Sequence, residues 1–369
     1  MKKLLAVLFL FTFLHAAPLS AQCPIYAKIP DSVIYDVEKL GLALTQNVEK
    51  ENDKACHIFQ WIRTNIKYDS EAYRRNKKRI NATTADVLKR REAVCLGYSQ
   101  LFAEMCQAAG LNAMVIDGYS KQGAIPPDME EGDHAWNAVQ IDGQWYLADV
   151  TWAADSRGET YFCSPPEDFI KEHLPADPMW QLLDHPVSAD QFRQGTVTPQ
   201  KTYPAFSFSD SIKVFLELSP ANQKIKSAEN AYIFNPTGSN RELLGHAYVD
   251  FALSMTPEAE RLQSSGSMDS LTLLQLEMIR FFRLAHQYTA LLDWQRDNFA
   301  NILINQAVSY AAQLPNAPSF PEAKEILDQM KNLLLEAKNL LEQEKIEHFP
   351  SHTLEICEEY LKWVETYWD

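Results

Sequence analysis

The chain is predicted to be an α+β protein over its first half and mainly α-helical over its second. Three features predict this. Apolar residues recur at helical spacing over 51–66 and again over 95–109. Short β-rich runs follow from Ala113, two of them joined by Asp142-Gly143. After about Ser227 the periodicity is helical almost to the end.

The first residues read as an export signal. Lys2 and Lys3 precede an apolar run, Leu4 to Leu14, and Leu19-Ser20-Ala21 supplies small residues before a cut ahead of Gln22. That run is too short for an ordinary membrane span. Cys23 raises a lipoprotein reading, which Gln22 disfavours by separating it from the small residue. The expectation is residues 1–21 as a signal peptide, with the mature protein soluble and periplasmic or secreted. Domains are expected at 22–195 and 196–369, divided within the proline-rich stretch 174–204.

Bulk properties narrow the partners. The 369 residues suffice for two ordinary domains, and 46% hydrophobic content suits packed cores. A net charge of -15 argues against nucleic acid, which calls for basic patches. The six cysteines show no CxxC pairing or regular spacing, so no disulfide framework is expected. Cys56 and Cys106 fall in amphipathic patterns and read as small buried apolar residues.

In order, 31–48 is expected to be helical, and 51–66 likewise through Ala55, Ile58, Phe59, Ile62 and Ile66. The basic run Arg74 to Arg79 belongs to a solvated loop that feeds a short helix near Thr84. A helix runs from Cys95 to Ala109, with Tyr98, Leu101, Phe102 and Met105 on one side and Gly110 past its end. Residues 113–118 form a strand and 121–132 a loop. His134–Ile141 and Gln144–Thr151 form a hairpin. Tyr161 and Phe162 begin a further strand that Pro165-Pro166 stops. Residues 205–218 are read as a strand pair. Pro321 to Lys345 carries the clearest apolar stripe, opened by Ser319 and Glu322 as a capping box with Pro321 in the first turn. Residues 271–286, 288–312 and 354–368 are also helical.

Three residues carry chemistry. Cys95 begins a helix, where free N–H groups and the helix dipole favour a thiolate and offer an oxyanion donor. The hairpin decides whether His134 and Asp149 can meet. With a two-residue turn Ile141 faces Gln144, and the same register sets Trp136 opposite Asp149 and His134 opposite Thr151. His134 and Asp149 then share one face as diagonal neighbours, roughly 7 Å apart at Cβ. A one-residue bulge would separate them. Taken singly, each residue has an ordinary reading: a structural cysteine, a satisfied histidine, a strand-end cap. Together, in this order, they make a nucleophile, its base and the group that orients it. With no CxxC or HxxxH spacing they make a poor zinc site, and no metal or cofactor is expected.

These motifs resemble the transglutaminase-like superfamily. Cys95-Leu96-Gly97-Tyr98-Ser99-Gln100-Leu101-Phe102 is similar to its nucleophile helix, His134-Ala135-Trp136-Asn137 to its histidine strand, and Asp149-Val150-Thr151-Trp152 to its aspartate strand. Trp61 to Asp69 resembles the preceding helix, and Phe162 to Phe192 resembles the branch containing kyphoscoliosis peptidase. The resemblance covers roughly residues 50–192. It implies a papain-like core, a nucleophile helix packed on an antiparallel sheet, with Cys95, His134 and Asp149 catalytic and an upstream aromatic, Trp61 or Tyr68, as a second oxyanion donor. It implies amide chemistry on a protein or peptide substrate through a thioester. Peptidase-like hydrolysis leads; amine transfer onto glutamine and a non-catalytic binding scaffold are the alternatives. The helical half is a candidate surface for a partner.

Overall fold

A computed structural model describes residues 28–74, 83–121, 129–154, 161–197, 206–342 and 352–367. The expected signal peptide, Cys23, the basic run beyond Arg74 and most of the 121–132 loop lie outside the described residues. The chain divides into two compact units. One comprises residues up to Asp117 together with Asp133–Glu172, the other Gly118–Gly132 together with residues from His173 onward.

The first unit begins with α1 (Val37–Thr45) and α2 (Glu51–Asn65), then β1 (Lys67–Tyr68) and α3 (Ser70–Arg74). Next come α4 (Thr84–Arg90), β2 (Glu92–Ala93) and α5 (Cys95–Ala108). A capping box between Thr83 and Asp86 starts α4. The strands β3 (Ala113–Ser120), β4 (His134–Ile141) and β5 (Gln144–Ala148) follow, then the single turn α6 (Val150–Trp152) and α7 (Pro166–Phe169). Strand β4 lies between β5 and β3.

The hairpin forms in the expected register, from Ile141 opposite Gln144 to Asn137 opposite Ala148. Asp142 and Gly143 both take left-handed backbone, φ 49° and 79°, as a two-residue turn matching strand twist demands. The ladder stops earlier than expected: β5 ends at Ala148 because Asp149 caps a helical turn. Nor do Tyr161 and Phe162 begin a strand; the segment touches the sheet through one bridge, Leu147 to Ser164.

The core of this unit packs Phe59 and Ile62 of α2 against Tyr98, Leu101 and Phe102 of α5 and Val139 of β4. Phe59 and Phe102 meet edge to face at 6.2 Å. Gly41 of α1 passes so close to α5 that a Cβ there would lie 2.7 Å from the Met105 carbonyl oxygen. Cys106 is buried as expected, but Cys56 is disulfide-bonded, a correction to its reading as a simple buried thiol. Pairing depends on what the fold brings alongside, which spacing along the chain does not encode.

In the second unit, residues 118–120 of β3 pair antiparallel with β6 (His173–Pro175). A 3-10 turn (Pro178–Gln181) and α8 (Ala189–Gln194) follow, so the stretch read as loop contains three short elements. The Gln181 side chain bonds both the N–H and the carbonyl of Val187 and substitutes for a strand partner. The expected strand pair at 205–218 is instead the helix α9 (Phe208–Leu216). The Phe-Ser-Phe-Ser alternation at 206–209 has period two, but Ser207 caps the Asp210 N–H, and Ile212 and Phe215, three apart, are the residues buried.

Helices α10 (Pro220–Phe234), α11 (Gly238–Ser254), α12 (Thr256–Ser265), α13 (Met268–Tyr288), α14 (Asp293–Ala311), α15 (Phe320–Glu342) and α16 (His352–Thr366) complete the unit. Continuous helical structure therefore begins at Phe208, with α9, rather than near Ser227. The α15 stripe is buried as read: Leu327, Met330, Leu333, Leu334, Ala337, Leu340 and Leu341. It joins a core in which Phe282 and Phe299 stack at 4.8 Å. Among the described residues no helix is long and apolar enough to cross a membrane.

Candidate active site

Cys95 is the first residue of α5, after Val94 in extended conformation. Several contacts seat this helix start. The Tyr98 hydroxyl donates to the Ile66 carbonyl at 2.7 Å, tying it to the end of α2. Ser99 Oγ donates to the Cys95 carbonyl at 2.9 Å. Gly97 has no room for a side chain, since a Cβ there would meet the Ala93 Cβ at 2.8 Å. Asn137 Nδ2 reaches from β4 to the Ser99 carbonyl at 2.9 Å and the Met114 carbonyl at 3.1 Å, so it clamps the helix to two strands. The result is a buried thiol, 8% exposed, at a helix N-terminus whose first N–H groups have no partner within the helix.

His134 opens β4 and Asp149 follows β5. Their side chains meet, His134 Nε2 lying 2.8 Å from Asp149 Oδ2. Asp149 is fully buried; its Oδ1 accepts the Trp152 N–H at 3.0 Å, and its own N–H donates to the Tyr161 carbonyl at 2.9 Å. The carboxylate thus orients the ring through one oxygen and caps α6 through the other. With Nε2 engaged by Asp149, Nδ1 is the ring nitrogen left for Cys95.

The electrostatics favour a protonated ring. Burial opposes the charge on His134, but the charge and hydrogen bond of Asp149, with the hydrogen bond and charge of Cys95, outweigh it and push the imidazole up to about 10. Trp152 stacks on the imidazole at 5.2 Å and 24° and Trp136 lies tilted at 5.8 Å, while Tyr161 meets Trp152 edge on.

The two aromatic candidates for a second oxyanion donor, Trp61 and Tyr68, have different surroundings. Parallel pairing of β1 with β2 sets Tyr68 opposite Ala93, and the Asp69 N–H donates to the Ala93 carbonyl at 2.9 Å. Burial holds the Tyr68 hydroxyl well above the ordinary phenol range, and the charges of Cys95, its neighbouring tyrosines and Asp149 push the same way. The Arg91 guanidinium lies 4.8 Å over the ring of Trp61. Tyr68 is therefore a protonated hydroxyl within the field of the thiol.

All three predicted residues, Cys95, His134 and Asp149, are brought together. Trp152, Tyr161 and Asn137 had not been singled out. Asn137 and Trp152 belong to the motifs already quoted, so their positions were visible; their contacts were not. Tyr161 was read as a strand residue, and nothing local marks its contact with Trp152.

Part of this chain is similar to known proteins. Residues 38–150 match the model of the transglutaminase-like superfamily. The chain is similar to kyphoscoliosis peptidase from Mus musculus, 33% identical over 174 residues that make up 43% of this chain and 26% of that protein. Its similarity to kyphoscoliosis peptidase from Homo sapiens is 32% over 181 residues, 45% of this chain and 27% of that protein. The match therefore spans only about a quarter of the length of these relatives. A crystal structure described as that of a TGase aligns with 26% identity and a TM-score of 0.26, covering 33% of this chain and 31% of that one. Motif, helix-on-sheet architecture and sequence similarity point the same way: residues 38–150 resemble a domain of the transglutaminase-like superfamily.

Proposed function

We propose that the protein is an exported thiol-dependent amide hydrolase, peptidase-like in action, which uses Cys95 as nucleophile, His134 as acid and base and Asp149 as the group that holds the ring. The single observation that carries this reading is the buried His134–Asp149 hydrogen bond at 2.8 Å beside a thiol at a helix N-terminus. The catalytic domain is taken as 22–195 and the helical domain as 196–369.

The reaction runs in two halves. Cys95 Sγ, its proton held by His134 Nδ1, attacks the amide carbonyl carbon. The developing oxyanion is held by the Cys95 backbone N–H and the Tyr68 hydroxyl. The C–N bond breaks as His134 passes its proton to the departing amine, which leaves a thioester. Water, losing a proton to His134, attacks the thioester carbonyl; the C–S bond breaks and the free acid departs. A protein or peptide substrate fits this chemistry and the peptidase names of the relatives. Export is supported by the leader-like N-terminal residues and by the Cys56 disulfide, which is at home in an oxidising compartment.

The test is capture of the full-length protein with a peptide-amide electrophile, followed by mass spectrometry. Labelling is expected at Cys95 and should be lost in Cys95→Ala and strongly slowed in His134→Ala. Equal labelling of wild type and His134→Ala overturns the assignment of the base. Product analysis in ¹⁸O-labelled water, with and without an added primary amine, separates hydrolysis from amine transfer.

A further inference from the structure

Away from this site, the helical unit contains a cavity of about 720 Å³ bounded by the 3-10 turn, α9 and α10. Its volume falls in the range of small-molecule sites, roughly 300–1,000 Å³. The walls are mostly apolar, chiefly Met179, Phe206, Phe215, Leu218 and Phe234. One wall carries Asp177, a carboxylate on a residue only 5% exposed.

The partners of Asp177 are all neutral. Its Oδ1 accepts the Met179 N–H at 3.1 Å, and its Oδ2 accepts Asn230 Nδ2 at 2.9 Å. Burial pushes this carboxyl up to about 6, partly countered by those hydrogen bonds and by the more distant charge of Lys226. Near pH 7 the cavity wall is therefore largely ionised, and among the described residues no cation hydrogen-bonds or ion-pairs with Asp177. A buried carboxylate held only by neutral dipoles is costly, and a cation delivered into the cavity offsets that cost.

The other charged groups point the same way. Asp210 lines the cavity with its carboxylate accepting the Ser207 hydroxyl at 2.6 Å. Among the described residues the one basic group on the lining, Lys226, is exposed and has Glu229 3.9 Å from its ammonium. The charge of the lining thus complements a cation rather than an anion. We propose that this cavity binds a small amphipathic primary amine, its ammonium on Asp177 and its apolar body against Met179, Phe215 and Phe234. A capping role alone explains the bond to Met179 N–H; it does not require a carboxylate to stand against an apolar cavity.

The experiment is calorimetric and NMR titration of the full-length protein with three probes of one shape: 4-phenylbutylamine, 4-phenylbutanol and 4-phenylbutyrate. The amine is expected to bind at least about tenfold more tightly than the alcohol, and the carboxylate more weakly still. Asp177→Asn should abolish the preference for the amine. Val214→Trp, at an exposed position on the lining, adds bulk that obstructs the cavity and should weaken binding of all three. Equal affinity for amine and alcohol, tighter binding of the carboxylate, or undiminished amine binding by Val214→Trp would each overturn the proposal.

Discussion

Replacing Asp149 with asparagine removes one negative charge 2.8 Å from His134 Nε2 while preserving the shape of the site. The amide oxygen can still cap the Trp152 N–H, so α6 has no reason to unwind. The magnitude follows from the imidazole. It stands at about 10 rather than 6.5, against the effect of its own burial. At about 1.4 kcal/mol per pH unit, the surroundings favour the protonated ring by on the order of 5 kcal/mol, with Asp149 the largest favourable contributor. Without that charge, burial dominates and the ring is neutral at pH 7. Cys95 then loses its cationic neighbour, and the ring loses its orientation for proton transfer. Turnover is expected to fall by about 100- to 10,000-fold. The assay is the rate of Cys95 alkylation by iodoacetamide between pH 5 and 10, read by mass spectrometry. Across this range the wild-type thiol should be alkylated faster than the Asp149→Asn thiol, and the two rate–pH profiles should differ. A variant with the wild-type pH profile refutes the reasoning, because it would show that Asp149 does not set the charge of the ring.

The remaining predictions concern stability and the oxyanion. Since the folded imidazole sits above its unfolded value, the protonated pair stabilises fully below about pH 6.5 and loses that contribution as pH rises toward 10; urea unfolding should show wild type weakening by a few kcal/mol across this window and Asp149→Asn much less. Tyr68→Phe should lower kcat about 100-fold with little change in KM or in melting temperature, and an unchanged kcat would remove Tyr68 from the oxyanion site. Gly41→Ala drives a methyl group to 2.7 Å from the Met105 carbonyl oxygen and should cost about 1–3 kcal/mol as α1 is pushed off α5, measured by denaturant unfolding. Phe299→Ala removes the ring stacked on Phe282 in the helical core and should cost about 3–5 kcal/mol, visible as a lower melting temperature.

Reading ahead of structure succeeded where local rules suffice. The Asp142-Gly143 turn needs two left-handed residues, and strand side chains alternate with period two. Those facts put His134 and Asp149 on one face, although the ladder ends at Asn137–Ala148 and Asp149 reaches the ring from a helix cap. Helix α5 was legible from its apolar spacing, with Cys95 at its start. Alternation failed at 205–218, where Phe-Ser-Phe-Ser mimics a strand but Ser207 caps a helix. The disulfide at Cys56, the cation over Trp61 and the stacking of Trp152 on His134 join segments far apart in the chain or depend on side-chain orientation, which no window of residues encodes.

By itself the sequence determined which groups were available for catalysis, their order, and the hairpin parity that gave two of them a common face. Those properties follow from backbone periodicity and turn chemistry, which act over a few residues. Only the tertiary structure decided that helix α5 presents Cys95 to that face, that Tyr68 lies in the field of the thiol, and that Asp149 is buried deeply enough to hold His134 protonated. Those depend on which distant surfaces exclude water together, and it is the exclusion of water that makes a charge at 2.8 Å strong enough to move a proton.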